Sequence, residues 1–506
     1  MGSSGSIFSF GSDSSNIIPS ITVGVPSRRT PTVMEGIARI IENIPMNKDK
    51  LELSPEEMRA LGYRVVDMLV DRFANLSEER VGAKADPAVL RPALLTPPPA
   101  APVAPDEIFA TLERDVFPNM MNTAHPRFFA FVPVPSNFVS TMADTLATGF
   151  NVFSGSWLGG SGSVALELAV IDWLRQWCGL PETAGGLFVS GGSMANLTAI
   201  VAARHAKLDD RIDGAVVYFS DQTHSSVERA FRVAGFLPEQ ICKIPSDTNF
   251  RLPADELARR IAQDRAAGLR PFAIVANAGT TNTGAIDLLP EIAALCAENE
   301  MWMHVDGAYG AAATLCDRGK ALLKGLELAD SLSLDPHKWL FQSLECGCVL
   351  LRDSGLLKAT YRIMPEYLAD VHRNMAEVNP CDYGIQLTRS FRALKLWMSV
   401  QYFGLDAFRA AMERGFELAE SAEKKLRAMP GWEIITPAQM GIVTFHHPEA
   451  DYEKLHDAML AEGFALATST VLKGRTVLRF CTINPRTTED DIMQTLVRID
   501  RLVSRT

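Results

Sequence analysis

The sequence predicts an α/β fold built around a mainly parallel sheet, preceded by a helical segment and followed by a smaller α+β region. Three features carry this expectation. Between about residues 126 and 350, short apolar runs alternate with helical stretches, the rhythm of a parallel sheet covered on both faces. A connector at 95–102, Leu-Thr-Pro-Pro-Pro-Ala-Ala-Pro, suits neither a helix nor an inner strand and marks a boundary. Beyond about residue 390 the alternation stops and longer helical patterns take over.

Residues 1 to about 33 are rich in Ser, Gly, Pro and Ile without a period, and a tail through residue 48 is expected to be flexible. The segment 49–125 opens with a helix, because Ser54 suits an N-cap, Pro55 the first turn and Glu57 the capping-box position. Its apolar face holds Met58, Leu61, Val65, Val66, Met68 and Leu69, and it should end near Asn75. In a large domain spanning 126–389, buried strands are expected at 187–189, 215–219, 272–276, 301–305 and 331–334, with crossover helices such as 195–207 and 288–298. A small α+β domain, 390–506, should contain helices at 391–403 and 408–429, strands at 441–446 and 476–481, and a closing helix at 488–502. The sequence shows no internal repeat.

A chain of 506 residues is long enough for two or three domains, and 47% hydrophobic with 22% charged residues is the balance of a soluble globular protein. The net charge of −11, with no block of Lys and Arg, argues against nucleic acid as a partner. No apolar run reaches the roughly 18 residues a membrane span needs, and the charged-then-apolar order of a secretory signal is absent, so the expected location is cytoplasmic. The eight cysteines are scattered. Cys346-Gly347-Cys348 lacks the second pair or histidines of a zinc site, so buried free thiols and no metal are expected.

Five polar motifs follow the ends of the expected strands, where ligands bind in such sheets. Ser190-Gly191-Gly192-Ser193 stands between a strand and a helix, and suits either a phosphate cradle or a tight turn. In Asp221-Gln222-Thr223-His224-Ser225-Ser226, His224 could stack on a planar cofactor or cap the next helix. Asn277 to Gly284 is a hydroxyl-rich loop. In His304-Val305-Asp306-Gly307-Ala308-Tyr309, Asp306 ends an apolar strand and needs a cation. The protonated nitrogen of a pyridine ring is one such cation. In Ser333-Leu334-Asp335-Pro336-His337-Lys338-Trp339, a lysine is set among apolar residues, where an unpaired ammonium is costly and condensation with an aldehyde removes the cost.

This succession of motifs resembles the group II decarboxylases that depend on pyridoxal phosphate (PLP), and within them the aromatic-L-amino-acid decarboxylase branch. The stretches from His125 to Pro133 and from Leu387 to Trp397 are also similar to that branch, so the likeness covers about 50–500. It implies the aspartate aminotransferase-like fold type I: a mainly parallel seven-stranded sheet with helices on both faces, a small α+β C-terminal domain and a helical N-terminal segment. It also implies a homodimer with sites at the subunit interface, acting in amino-acid metabolism. By this resemblance Lys338 carries PLP as a Schiff base, Asp306 pairs with the pyridine nitrogen and His224 stacks on the ring. Gly192 and Ser193 hold the phosphate, Thr281 lies near the ring, and His337 sits by the substrate carboxylate. Many relatives place Asn where this chain has Asp335, whose charge would repel a phosphate unless it turns away or meets a cation.

The resemblance implies decarboxylation of an L-amino acid to an amine and CO2, with a loop tyrosine reprotonating the substrate carbon. Relatives with Phe there instead form aldehydes by oxygen-dependent decarboxylation and deamination. The counterpart loop, about 369–384, puts Pro380 or Cys381 at the tyrosine position. Tyr383 is close enough to serve if the register shifts, and an aldehyde product stays open as the alternative. The pocket wall corresponds to Phe131, Val132 and Pro133 with Phe153, Gly155 and Trp157, which suits an aromatic side chain. Gly155 would leave room for an indole or catechol ring. Arg127 is the nearby cation that leaves an acidic substrate open.

Overall fold

A computed structural model describes residues 51–374 and 376–505. The tail expected over 1–48 lies outside them. The described residues divide into two compact units, with the boundary between Ala74 and Asn75.

In the first unit the expected helix forms as Pro55–Ala74. Its capping box closes reciprocally: the Ser54 amide donates to Glu57 Oε2 at 2.7 Å and the Glu57 amide to Ser54 Oγ at 3.2 Å. No residue of this helix is buried, and Met58, Leu61, Val65 and Val66 are all exposed.

The second unit holds two sheets. The larger is built from β1 (Gly185–Val189), β2 (Ala215–Ser220), β3 (Ile241–Ile244), β4 (Arg270–Asn277), β5 (Trp302–Asp306), β6 (Ser331–Leu334) and β7 (Gly347–Leu351), in the order β1-β7-β6-β5-β4-β2-β3. The pairs β2–β3, β2–β4, β4–β5 and β5–β6 are parallel, whereas β7 runs antiparallel between β1 and β6. Along β2, Val216 and Tyr218 enter one core and Ala215, Val217 and Phe219 the other. Both faces are therefore buried, which is why the strand reads as a continuous apolar run.

All five expected strands of this sheet are present. Strands β3 and β7 were not anticipated: β3 has only four residues, and β7 is a run of small and branched residues behind Cys346.

The smaller sheet has the order β10-β11-β9-β8, formed by β8 (Glu433–Gln439), β9 (Ile442–His446), β10 (Thr468–Leu472) and β11 (Arg475–Cys481). Every pairing in it is antiparallel. Phe445 and Phe480 meet edge to face at 5.1 Å and pack with Leu455, Met459, Leu496 and Ile499 of the helices Tyr452–Glu462 and Glu489–Val503. The two helices expected from 391 to 429 appear as one span, Ala393–Arg427, broken at Gly404, whose φ of 71° no side-chain-bearing residue adopts readily. Strands β8 and β10 are additional to the expectation.

Seven of the eight cysteines are buried, Cys381 is half-buried, and all are free thiols. Among the described residues no helix is long and apolar enough to cross a membrane.

Candidate active site

The carboxyl ends of β1, β2, β4, β5 and β6 converge on a cavity of about 310 Å³. It is lined by Gly192, Ser193, His224, Thr281, Asp306, His337 and Lys338, so every cofactor-binding residue expected from the sequence meets at one place. Asn196, Tyr309, Asp335 and Glu345 also line it.

Lys338 stands on a turn after β6, where its amide donates to the Asp335 carbonyl at 3.0 Å. The turn is anchored by Trp339, which is fully buried and stacks on Tyr309 with ring centroids 5.3 Å apart and planes 4° from parallel. Lys338 Nζ lies 2.9 Å from Asp335 Oδ2. Burial alone would lower the lysine pKa, but the charge and hydrogen bond of Asp335, with Asp306 further off, hold it above the ordinary lysine range. This carboxylate therefore meets a cation, Lys338, yet stays against the cradle at Gly192.

Asp306, at the end of β5, is oriented from two sides. Its Oδ1 accepts from Ser333 Oγ at 3.1 Å and the Ala308 amide at 3.2 Å, and its Oδ2 accepts from Asn196 Nδ2 at 3.1 Å. Behind Asn196 lies a buried chain. Trp302 Nε1 donates to Ser331 Oγ at 2.8 Å, Ser331 Oγ meets His304 Nδ1 at 2.8 Å, and His304 Nε2 meets Asn196 Oδ1 at 3.0 Å. Asn196 Oδ1 can only accept, so the neutral His304 donates to it from Nε2, and Nδ1 accepts from Ser331 Oγ. Burial lowers the His304 pKa to about 4, which keeps it neutral.

Of the two roles left open by the sequence, the structure shows His224 in the capping one. It caps the helix Ser225–Val233, its Nδ1 accepting from the Ser226 amide at 3.2 Å, and its ring also lines the cavity. Burial pushes its pKa below the usual histidine range. His337 Nδ1 accepts from the Cys346 amide at 3.2 Å, and burial lowers its pKa as well.

These residues fit PLP on their own geometry. A Cβ added to Gly192 would lie 2.8 Å from Ala308 Cβ, so only glycine lets the backbone close up at the start of the helix Gly192–Leu208, whose first residues line the cavity and whose first amides lack intrahelical partners. Donors for an anion, an amine for an aldehyde and a carboxylate for a pyridinium thus share one cavity.

The substrate residues are less completely assembled. Phe131, Val132, Pro133, Phe153, Gly155 and Trp157 do not line this cavity. The space expected at Gly155 is filled by the chain itself, since a Cβ there would lie 2.2 Å from the Leu387 carbonyl oxygen and 2.6 Å from the Phe153 ring. Arg127 is committed elsewhere, pairing with Asp491 at 3.0 Å and donating to the carbonyls of Phe464 and Ser77. Tyr383 lines a different cavity, of about 220 Å³, with Leu187, Val378 and Pro380. The loop is tied there by Cys381, whose amide donates to the Gly155 carbonyl at 2.9 Å, and by Asn379 Oδ1, which accepts from the Trp157 amide at 2.9 Å.

Sequence reasoning assigned no role to Asn196, Ser226, Ser333 or Arg479. The buried Arg479 donates to the Phe131 and Thr281 carbonyls and so joins the two loops. A polar residue at 196 on an otherwise apolar helix face was the available signal for Asn196.

Comparison with known proteins agrees with this geometry. Residues 87–447 match the family model of the pyridoxal-dependent decarboxylase conserved domain. The chain is 47% identical to an aromatic-L-amino-acid decarboxylase of Bacillus atrophaeus, over 90% of this chain and 97% of that protein. It is 32% identical to a phenylacetaldehyde synthase of Petunia hybrida, over 86% and 92%. A crystal structure of Oryza sativa TDC with PLP and tryptamine superimposes with a TM-score of 0.85 and 29% identity, covering 90% of this chain and 99% of that one.

Proposed function

Because the chain belongs to the pyridoxal-dependent decarboxylases, we propose that its substrate is an aromatic L-amino acid, released as the amine and CO2. The enzyme is a PLP-dependent carboxy-lyase of fold type I. When bound, PLP supplies an electron sink for the pair left behind as CO2 departs. Lys338 would hold it covalently, Asp306 would keep its ring nitrogen protonated, and His224 would cover the ring. Gly192, Ser193 and the helix start would hold the phosphate, with Thr281 toward the ring and His337 toward the substrate carboxylate.

The observation that carries these roles is the convergence of Lys338, Asp306, His224 and the glycine cradle on one cavity. The aromatic substrate is supported by the Bacillus relative at 47% identity and by the commitment of Arg127 to Asp491, which leaves it unavailable to a second carboxylate. Amine formation is favoured over the aldehyde, since the aldehyde-forming relative stands at 32%.

A homodimer accords with the exposed apolar side chains Leu146, Phe150 and Leu158, and a cytoplasmic location with eight unpaired thiols. Incubation with a panel of aromatic and acidic amino acids, assayed together for amine, aldehyde and peroxide, tests the reading. Amine from aromatic substrates without peroxide is expected; turnover confined to acidic substrates overturns it.

A further inference from the structure

We propose that Asp335 is the counter-ion of Lys338, and that it restrains both the capture of the aldehyde by this lysine and the hold of the cradle on the cofactor's phosphate. The proposal rests on the reading of Lys338 as the Schiff-base lysine. Asp335 is 2% exposed, and its Oδ2 is 2.9 Å from Lys338 Nζ and 3.6 Å from His337 Nε2. It has no room to swing aside. A Cβ on Gly192 would lie 2.9 Å from Oδ2, and one on Gly347 of β7 would lie 2.8 Å from Oδ1. The carboxylate is therefore wedged between the phosphate cradle and the neighbouring strand, facing the cradle and the lysine at once. Its Oδ1 has no hydrogen-bond partner among the described residues. The other titratable groups acting on this lysine are Asp306 from β5, His224 from the helix Ser225–Val233, His337 beside it and Cys481 from the end of β11. Among the described residues, Asp335 alone forms an ion pair with it.

An amine captures an aldehyde only in its unprotonated form. Lys338 first gives its ammonium proton to solvent; the C=N bond then forms between Nζ and the aldehyde carbon as the carbonyl oxygen leaves as water. A buried carboxylate beside the ammonium opposes the first event, and beside the cradle it opposes an incoming dianion. The two effects separate cleanly, because pyridoxal carries the aldehyde without the phosphate.

The experiment compares full-length cofactor-stripped wild-type protein with Asp335→Asn and Asp335→Ser. Capture of pyridoxal and of PLP is followed against pH by the visible band, and borohydride-trapped protein is mapped to locate the labelled lysine. In the variants the pH midpoint of pyridoxal capture should fall by about one unit, about tenfold faster capture at a fixed lower pH. PLP should gain more than pyridoxal, and inorganic phosphate should compete with PLP more strongly. Equal midpoints, or equal gains for the two aldehydes, overturn the proposal. If neither variant folds, wild type decides: a pyridoxal midpoint at or below the ordinary lysine value of about 10.4 also overturns it. Label on a lysine other than Lys338 instead refutes the functional reading beneath it.

Discussion

Replacing Asn196 with Ala tests how the site holds Asp306. Oδ2 of that carboxylate has one hydrogen-bond donor among the described residues, Asn196 Nδ2 at 3.1 Å, whereas Oδ1 has two, Ser333 Oγ and the Ala308 amide. A hydrogen bond to a charged group contributes about 1.5–3 kcal/mol. Loss of the sole donor on Oδ2 should therefore weaken cofactor retention by about 10- to 100-fold, at about 1.4 kcal/mol per factor of ten. Asn196→Ala also strips a partner from His304 Nε2 and from Ser226 Oγ. Ser333→Ala leaves Oδ1 with the Ala308 amide and should cost under tenfold, about 1 kcal/mol. The assay is the PLP dissociation constant by absorbance titration of cofactor-stripped protein, with kcat for an aromatic amino acid measured alongside. Ser333→Ala matching or exceeding Asn196→Ala would refute the orientation argument, as would an Asn196→Ala dissociation constant within twofold of wild type.

Three further outcomes follow from burial. Trp339→Ala removes a fully buried ring stacked on Tyr309 and should lower stability by about 3–5 kcal/mol; a denaturant midpoint near that of wild type would contradict it. Glu167→Gln leaves the buried Arg389 guanidinium, 2.6 Å from Glu167 Oε1, without its charge partner, for a cost of about 3–5 kcal/mol on the same assay. His125 is held neutral by burial, with its pKa lowered from 6.5 to about 4. Between those values the unfolded chain binds a proton that the folded one does not, so this contribution is whole above pH 6.5 and is lost toward pH 4. His125→Gln should flatten the acid limb of a plot of urea midpoint against pH, and an unchanged limb would exclude the residue.

Strands β2, β4 and β5 were legible because both their faces are buried, which makes each a largely apolar run. The site was legible to the extent that its groups sit at strand ends, as Asp306, His224 and Lys338 do. Two strands escaped: β3 is interrupted by the exposed Lys243, and β7, which was not read as a strand, carries no mark of its reversed direction either. Asn196 and Ser333 escaped for another reason. Each is joined to Asp306 by a contact across more than twenty residues of chain, and nothing local distinguishes it from a solvated polar residue. Gly155 shows the converse, since a small residue promised space that Phe153 and the Leu387 carbonyl already occupy.

The reversed strand β7 also governs when the molecule can become competent during synthesis. Strand β1, which carries the cradle, pairs only with β7 in the sheet, although nearly 160 residues separate them. The first strand made is thus held in place by the last, and the cradle cannot be locked beside the lysine turn until the chain has emerged beyond Leu351. Closing so long a loop is slow compared with local helix formation. Until then β1 presents an unpaired apolar edge, the kind of surface that invites association with other nascent chains.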